Sequence, residues 1–368
     1  MHRLSLIVVV AIALSATVIV VPVRGQGSNA NGGAACDRSC LTAMVDTYLS
    51  ALVVHDPMKV AIARTARFTE NTNQLPIGEG LWLGATEAPT SFAIYVSDVG
   101  ARQVGFFGVM REYDKPVMLA LRLRVENKEI IEVEHLVARG LNSAGMKNLV
   151  APRGGLVSDV PAEQRVPRDQ MLKIANSYYD ALLQSNGKVA PFADDCVRHE
   201  NGIQTTSNRT GPNASSGSGI TSTSAMAKIG TLGCADALNT RALSYITGID
   251  LRRVAIVDEE RGLVFGLSMF RHRGNVRTIK IVNVPGVDTM PMNFGPIDLQ
   301  VAHIFKISGG KLHEIETMGY TLPYMSGSGW EAPLTVPAVP QGRARPTQRT
   351  STSKAGAPST TTADSHQR

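Results

Sequence analysis

The chain repeats itself at an interval of 130 residues. The segment "YLSAL", which begins at Tyr48, is matched by "YYDAL" at Tyr178, and Glu70 is matched by Glu200 at the same interval. The surroundings of the two glutamates, "RFTENTNQ" and "RHENGIQ", also resemble each other. Two later blocks match in the same order, "VSDVGARQVGFFG" with "IVDEERGLVFG" and "LRLRVENKEIIEVEH" with "HIFKISGGKLHEIET". Matches in one conserved order indicate two related halves in one chain.

Each half has the same predicted plan. Apolar residues at helical spacing predict a helix over about 41–54 and another over 168–184, each followed by a short second helix and a strand that holds the Glu-Asn pair. Longer strands follow at about 103–112, 117–126 and 129–139 in the first half, and at 251–258, 263–272, 299–307 and 311–319 in the second. Helices before an antiparallel meander predict an α+β fold, with each sheet wrapped round its helices.

The repeat also sets the predicted domain boundaries. Repeat one covers 36–140 and repeat two covers 166–325, with a linker at 141–165. Inside repeat two, the segment 203–233 is rich in Ser, Thr, Gly and Asn, which predicts a mobile loop. A length of 368 residues is enough for two such cores.

The two ends of the chain predict a secreted or periplasmic protein. Residues 1–25 combine a basic start, an apolar run and small residues, as in a signal peptide, and an uncleaved membrane anchor is the alternative. The tail 331–368 is rich in Pro, Ser, Thr and Arg and is predicted to be disordered. Of the formal charge of +6, only +1 lies between Gln26 and Trp330, which argues against nucleic-acid binding. Once a signal is cleaved, no membrane partner is expected.

Four cysteines suit an oxidising compartment, and the preferred pairing among the three possible ones is Cys36 with Cys40 and Cys196 with Cys234. A metal site is not predicted, because no His or carboxylate stands at ligand spacing. The chain also lacks a Gly-rich phosphate loop, G-x-S-x-G and H-E-x-x-H. We therefore predict no cofactor.

A helix with Y-x-x-A-L, a short helix and a strand that opens with a carboxylate resemble the ketosteroid isomerase and SnoaL-like cone fold of the nuclear transport factor two superfamily. The segments "CLTAMVDTYLSALVVHDP", "RFTEN" and "GEGLW" are also similar to a family of secreted fungal and bacterial tandem SnoaL-like proteins without a defined function. The resemblance implies two tandem cone-shaped domains packed sheet to sheet. Such a chain would be an internal pseudo-dimer that can exist as a monomer.

The resemblance also implies three catalytic positions in the second half. In ketosteroid isomerases a helix-one Tyr donates to the oxyanion, a strand carboxylate moves the proton, and a carboxylic acid on a later strand is a second donor. The motifs place these roles on Tyr178, Glu200 and His303, so that Glu replaces Asp and His replaces the acid. A carboxylate in an apolar pocket is a stronger base, and the enolate it forms needs donors placed in advance.

The first half matches this pattern less completely. It keeps Tyr48 and Glu70, but Leu121 stands where the second half has His303, so we expect no third polar group there and place the activity in the second half. Structural roles remain open for all of these residues: the tyrosines and His303 can be core residues, and each Glu can pair with Arg67 or Arg198. Trp82 can line a cavity rim or fill the domain interface, and Tyr179 competes with Tyr178 for the inward position. His199 and Asn201 flank Glu200 and are expected to point away from it by strand alternation.

Two kinds of function are compatible with these positions. The first is a cofactor-independent isomerase or lyase that acts on a small, largely apolar carbonyl or oxygenated compound in the pocket of repeat two, with hydration and epoxide opening less favoured. The second is a secreted protein without catalysis, either a small-molecule binder or an interaction module. The sequence leaves open whether the chain is an enzyme.

Overall fold

The computed structural model describes residues 36–208 and 224–331, and these residues have mixed α+β structure. The predicted signal peptide, the tail beyond 331 and the middle of the predicted loop 203–233 lie outside the described residues. The predicted α+β class is confirmed. Among the described helices, none is long and apolar enough to span a bilayer.

The first half is a seven-stranded sheet with one long helix. Asp37 caps that helix by accepting a hydrogen bond from the backbone N–H of Cys40, and the sheet is ordered β2-β1-β7-β6-β5-β3, with β4 paired to β5. The elements are α1 Arg38–Val53, a 3₁₀ turn Pro57–Lys59, β1 Ile62–Glu70, β2 Asn73–Gln74, α2 Leu81–Gly84, β3 Ala85–Glu87, β4 Ala93–Asp98, β5 Gln103–Glu112, β6 Lys115–Glu126 and β7 Glu129–Ala138.

A connection that contains short helices leads into the second half. The second half is a six-stranded sheet ordered β10-β11-β14-β15-β8-β9, with a separate hairpin β12-β13. Its elements, including those of the connection, are α3 Ser143–Asn148, α4 Gly154–Val157, a 3₁₀ turn Ala162–Gln164, α5 Arg168–Gln184, β8 Phe192–Glu200, β9 Ile203–Gln204, α6 Ala225–Gly230, α7 Cys234–Asn239, β10 Gly248–Asp258, β11 Leu263–His272, β12 Thr278–Lys280, β13 Thr289–Pro291, β14 Ile297–Ser308 and β15 Lys311–Pro323.

The register of the two sheets is the same at the positions that matter for function. In each half the first long strand runs parallel to the last, β1 with β7 and β8 with β15. Glu70 pairs with His135, which pairs with Leu121. In the second half Glu200 pairs with Thr317, which pairs with His303. Leu121 and His303 therefore occupy equivalent positions, as the sequence predicts.

Three apolar clusters organise the long helices and sheets. Each long helix packs on the inner face of its own curled sheet, α1 through Leu41 and Leu52, α5 through Met171 and Leu182. The third cluster contains residues of both sheets, among them Phe107 and Phe265, whose rings meet edge to face at 5.8 Å. The outer faces of the two sheets are thus buried together in one core.

The predicted long strands are confirmed, β5 and β11 with the predicted bounds and the others within a few residues. Strand β4 and the hairpin β12-β13 were not predicted. The prediction of a short helix before the strand of Glu200 is wrong, because a turn at 185–191 leads directly into β8. Both predicted disulfides are confirmed, and the Cys196–Cys234 bond joins β8 to the first residue of α7. Two disulfides fit an extracellular or periplasmic location.

Candidate functional site

The second half contains a cavity of about 220 Å³ between α5, β8 and the short helices α6 and α7. Most of its wall is apolar. The apolar lining residues are Leu182, Phe192, Met226, Ile229, Cys234, Ala237, Leu238, Ala242, Leu243 and Ile315, and the polar ones include Tyr178, Arg198, Glu200 and Thr205. A cavity of 150 Å³ can hold benzene, so this one has room for one ring or a short chain.

The polar end of the cavity is a hydrogen-bonded chain centred on Arg198. Because side chains alternate along a strand, Arg198 and Glu200 share one face of β8, and the inner face of α5 presents Tyr178 to them. Arg198 donates from Nε to the Tyr178 hydroxyl at 2.8 Å, from one terminal nitrogen to Glu200 Oε2 at 2.8 Å and from the other to Thr205 Oγ1 at 2.8 Å. The Tyr178 hydroxyl accepts the hydrogen bond from Arg198, so its own hydrogen is available to a ligand.

Charge at this end is balanced. Burial raises the pKa of Tyr178, and the neighbouring Arg198 partly offsets that rise. Burial alone would lower the pKa of Arg198, but Tyr178 and Glu200 hold it above its usual range. The guanidinium therefore stays charged and Glu200 neutralises it. Of the two ionic groups, Glu200 is the more accessible, with 40% of its side chain exposed against 13% for Arg198.

A smaller cavity of about 30 Å³, large enough for one water, lies on another side of Glu200. Arg198, Tyr245, His272 and Thr317 also line it. Thr317 Oγ1 and His272 Nδ1 are buried and have no hydrogen-bond partner within 36–208 and 224–331. Glu200 thus lies between two cavities, and the smaller one combines these polar groups with apolar residues such as Phe270 and Val301.

His303 is placed apart from this arrangement. Its ring is fully buried between Phe305, stacked at 5.2 Å, and Phe270 at 5.9 Å, and its Nδ1 shares a hydrogen bond of 3.1 Å with the hydroxyl of Tyr179. Burial lowers the pKa of His303 well below its usual value, so the ring is neutral. It touches the Tyr178 ring edge to face at 5.4 Å but lies outside both cavity walls. The structure therefore joins Tyr178 to Glu200 through Arg198 and joins His303 to Tyr179.

The two residues that flank Glu200 point elsewhere. His199 lies on the opposite face of β8 and is buried, and burial together with Arg153 and Arg198 lowers its pKa to about 3. Asn201 accepts from the backbone N–H of Gly319 at 3.0 Å and donates to the Gly319 carbonyl at 3.2 Å. Asn71 makes the same two bonds to Val137 in the first half. The repeated Asn thus fastens the end of the parallel strand pair.

In the equivalent site of the first half, the polar side chains form hydrogen bonds with one another. Trp82 Nε1 donates to the Tyr48 hydroxyl at 3.0 Å, and that hydroxyl is 2.9 Å from Nε2 of His135. The other ring nitrogen of His135 lies 3.3 Å from Glu70 Oε2, which also accepts from the backbone N–H of Leu81 at 2.8 Å. The expectation of a missing third polar group is therefore wrong: His135, on the neighbouring strand, joins the tyrosine to the glutamate.

Glu70 is held as a buried carboxylate. Burial alone would raise its pKa, but hydrogen bonds and charge from His135, the Leu81 N–H and Arg139 lower it overall. Arg139 donates to Glu70 Oε1 at 3.1 Å and also binds Glu112. Trp82 is 1% exposed and packs on Tyr48, so it fills the core.

The arginines of the two echoing segments have different roles. The alternative pairing of Glu200 with Arg198 is confirmed, whereas the pairing of Glu70 with Arg67 is wrong. Arg67 lies three residues before Glu70 and therefore on the other face of the strand, where it stacks at 4.5 Å on Trp330 and donates to the carbonyl of Gly329. Phe68 takes the position that Arg198 has in the second half.

Sequence reasoning missed His135, Arg139, Tyr245 and the part that Arg198 plays in the cavity wall. For Arg198 the signal was available, since an Arg two residues before a Glu in a strand shares its face. His135 could be found only from the strand register. Within the described parts of the chain, no group of three or more His, Cys, Asp or Glu side chains could hold a metal ion.

One family model and several solved structures are similar to parts of this chain. Residues 164–319, less than half of the chain, match a family described as a domain of unknown function, DUF8021. No curated protein matches. Similar solved structures include a candidate ketosteroid isomerase from Kribbella flavida DSM 17836, with 13% identity over 33% of this chain and 90% of the other at a TM-score of 0.22. Another is AclR, a candidate hydroxylase from Streptomyces galilaeus, with 9% identity over 34% and 92% at a TM-score of 0.19. Neither likeness assigns a reaction to this chain.

Proposed function

We propose that the second half binds a small, uncharged, largely apolar compound that carries an oxygen, and that Glu200 exchanges a proton with it. The observation that supports this most is the cavity of about 220 Å³ whose polar end is the Tyr178–Arg198–Glu200 chain. In this proposal the two halves are the tandem SnoaL-like repeats that the sequence resembles, and only the second is active.

The chemistry follows from where the hydrogen atoms are. A ligand carbonyl at the polar end would accept from the free hydrogen of Tyr178, because Arg198 already occupies an acceptor position of that hydroxyl. The positive charge of Arg198 makes the hydroxyl a stronger donor as negative charge develops on the ligand oxygen. Glu200, which lines the same cavity, would take the proton from the carbon next to the carbonyl and return it elsewhere. This is the proton transfer of an isomerase or lyase.

His303 has no direct role in this version. It is buried beyond the cavity wall with Tyr179, so the donor function that the resemblance gives it falls to Tyr178 supported by Arg198. His303 and Tyr179 would then keep the Tyr178 ring in place.

The experiment is proton exchange into a simple ketone. In D₂O, the wild-type protein should increase the rate at which 2-pentanone gains deuterium next to its carbonyl, as followed by proton NMR. Glu200→Gln should lower that increase by about 100-fold or more. Glu163→Gln, at an exposed position in a 3₁₀ turn, is the matched control and should change nothing. Equal exchange by wild type and Glu200→Gln would contradict the catalytic proposal.

A second candidate is binding without chemistry. The ion pair with Arg198 favours it, because the guanidinium already occupies an oxygen of the carboxylate that would have to accept the proton. It predicts that the ketone binds to the protein with no exchange above that of the buffer. A pure interaction module predicts no cavity beside either glutamate, and the cavity next to Glu200 counts against it.

A further inference from the structure

A second apolar depression adjoins the site. A groove of about 430 Å³, which we call the methionine groove, is lined mainly by Met226, Tyr245, Met290, Met292 and Phe294. Methionine side chains are flexible and polarisable, so a wall made from them can adapt to apolar groups of different shape.

Strand β13 lines part of the methionine groove through Met290 and Pro291. Its hairpin with β12 lies between β11 and β14 in sequence and has no counterpart in the first half. Below the groove, a cluster of buried apolar residues holds the hairpin against α6 and α7, with Ile279 and Ile281 of the hairpin region packed near Ile229 and Ala242. The groove is therefore part of the folded body. The added hairpin occurs in the half that has the cavity.

The groove and the cavity share part of their walls. Met226 and Tyr245 line both. The Tyr245 ring is fixed between Phe294, edge to face at 5.5 Å, and His272 at 5.5 Å. Met226 lies on α6, and its unbranched, flexible side chain can change rotamer. The wall shared by the cavity and the groove therefore consists of one aromatic ring with fixed neighbours and one adaptable side chain.

We propose that the ligand has an uncharged oxygen-bearing head in the cavity and an apolar tail in the methionine groove. This inference rests on the proposed function and adds the shape of its ligand. The head is uncharged because Arg198 and Glu200 already neutralise each other, so an anion would meet Glu200 and a cation would meet Arg198. The tail is apolar because Met290, Met292 and Phe294 line its path, and it is longer than the cavity alone can hold.

Straight-chain methyl ketones from 2-pentanone to 2-nonanone test this directly, with dissociation constants measured by titration calorimetry on the full-length protein. The shorter ketones fit inside the cavity, and the longer ones must enter the groove. The affinity should keep rising through the longest members, by up to about fourfold for each added methylene. Met292→Glu, which puts a carboxylate in the groove, should weaken the binding of 2-nonanone at least tenfold and leave the affinity for 2-pentanone unchanged. Met58→Glu, at a residue that is 91% exposed, is the matched control.

The outcomes separate the two proposals. If affinity stops rising once the cavity is full, or if Met292→Glu weakens short and long ketones equally, the tail does not lie in the groove and this inference is overturned, while the proposed function stands. If no ketone of any length binds, both are overturned. Since Met292 is 6% exposed and its substitution can disturb folding, circular dichroism of the variant is needed, and the wild-type length series decides the question without it.

Discussion

Glu70 and Glu200 occupy equivalent strand positions, but their surroundings give them different roles. Glu70 is 6% exposed and accepts hydrogen bonds from His135, Arg139 and a backbone N–H. The side chain of Glu200 is 40% exposed, lies beside a cavity and has Arg198 as its one hydrogen-bond partner among the residues that the structure describes. A carboxylate whose oxygens are fully used stabilises the fold, whereas one with a free oxygen at a cavity can act on a ligand.

This difference predicts a larger loss of stability for substitution of Glu70 than for substitution of Glu200. Glu70→Gln should lower the free energy of unfolding by about 1–3 kcal/mol at pH 7, because buried donors lose their charged acceptor. Glu200→Gln should cost less than about 1 kcal/mol. Urea denaturation of both variants gives the comparison, and equal losses would contradict the structural role of Glu70.

Glu70 also gives the stability of the protein a predictable pH dependence. The pKa of Glu70 is lowered from its ordinary value of 4.5 by folding, so its contribution to stability is complete above that value and is lost as the pH falls through the lower, folded-state pKa. Wild type should therefore lose stability below about pH 4.5 more steeply than Glu70→Gln does.

At the scale of elements, the Cys196–Cys234 disulfide fixes the wall of the cavity. It ties β8, which carries Arg198 and Glu200, to α7, whose Cys234, Ala237 and Leu238 line the cavity. The sequence separation is 38 residues, against 4 for Cys36–Cys40. A cross-link over a longer loop removes more entropy from the unfolded chain.

Replacing both cysteines of a pair by serine should show this order. The Cys196/Cys234 variant should lose about 4 kcal/mol and the Cys36/Cys40 variant about 2 kcal/mol in the chain-entropy model. Thermal denaturation under non-reducing conditions measures both, with the short-loop pair as the matched control. A larger loss for the Cys36/Cys40 variant would contradict the assignment of Cys196–Cys234 as the main covalent brace.

The elements also show why the sequence predicts the sheets better than the site. Short apolar runs bounded by turn residues define β5 and β11 locally, so their bounds are predictable. The contact between Glu70 and His135 joins residues 65 positions apart and depends on the register of β1 against β7, which no local pattern reveals. The hairpin β12-β13 has strands of three residues, too short to show any alternation.

At the scale of the molecule, the two halves hold each other by reciprocal contacts. Arg38 at the start of α1 binds Asp258 at the end of β10, and Arg168 at the start of α5 binds Asp98 at the end of β4. Each half thus gives an arginine and receives one, as in an interface related by a two-fold axis. This reciprocity favours the predicted internal pseudo-dimer, which we retain as a proposal.

The central claim is that the two halves have equivalent folds but only the second binds a ligand. Phe68, His135 and Trp82 fill the core of the first half, whereas the second half has a cavity. The most direct test is a titration of the wild-type protein with 2-pentanone, followed by methyl NMR. Saturable shift changes should occur at Ile229, Leu243 and Ile315, which line the cavity, and not at Leu52 and Leu123 in the first-half core. Changes centred on Leu52 and Leu123, or no saturable change at the cavity methyl groups, would contradict the account.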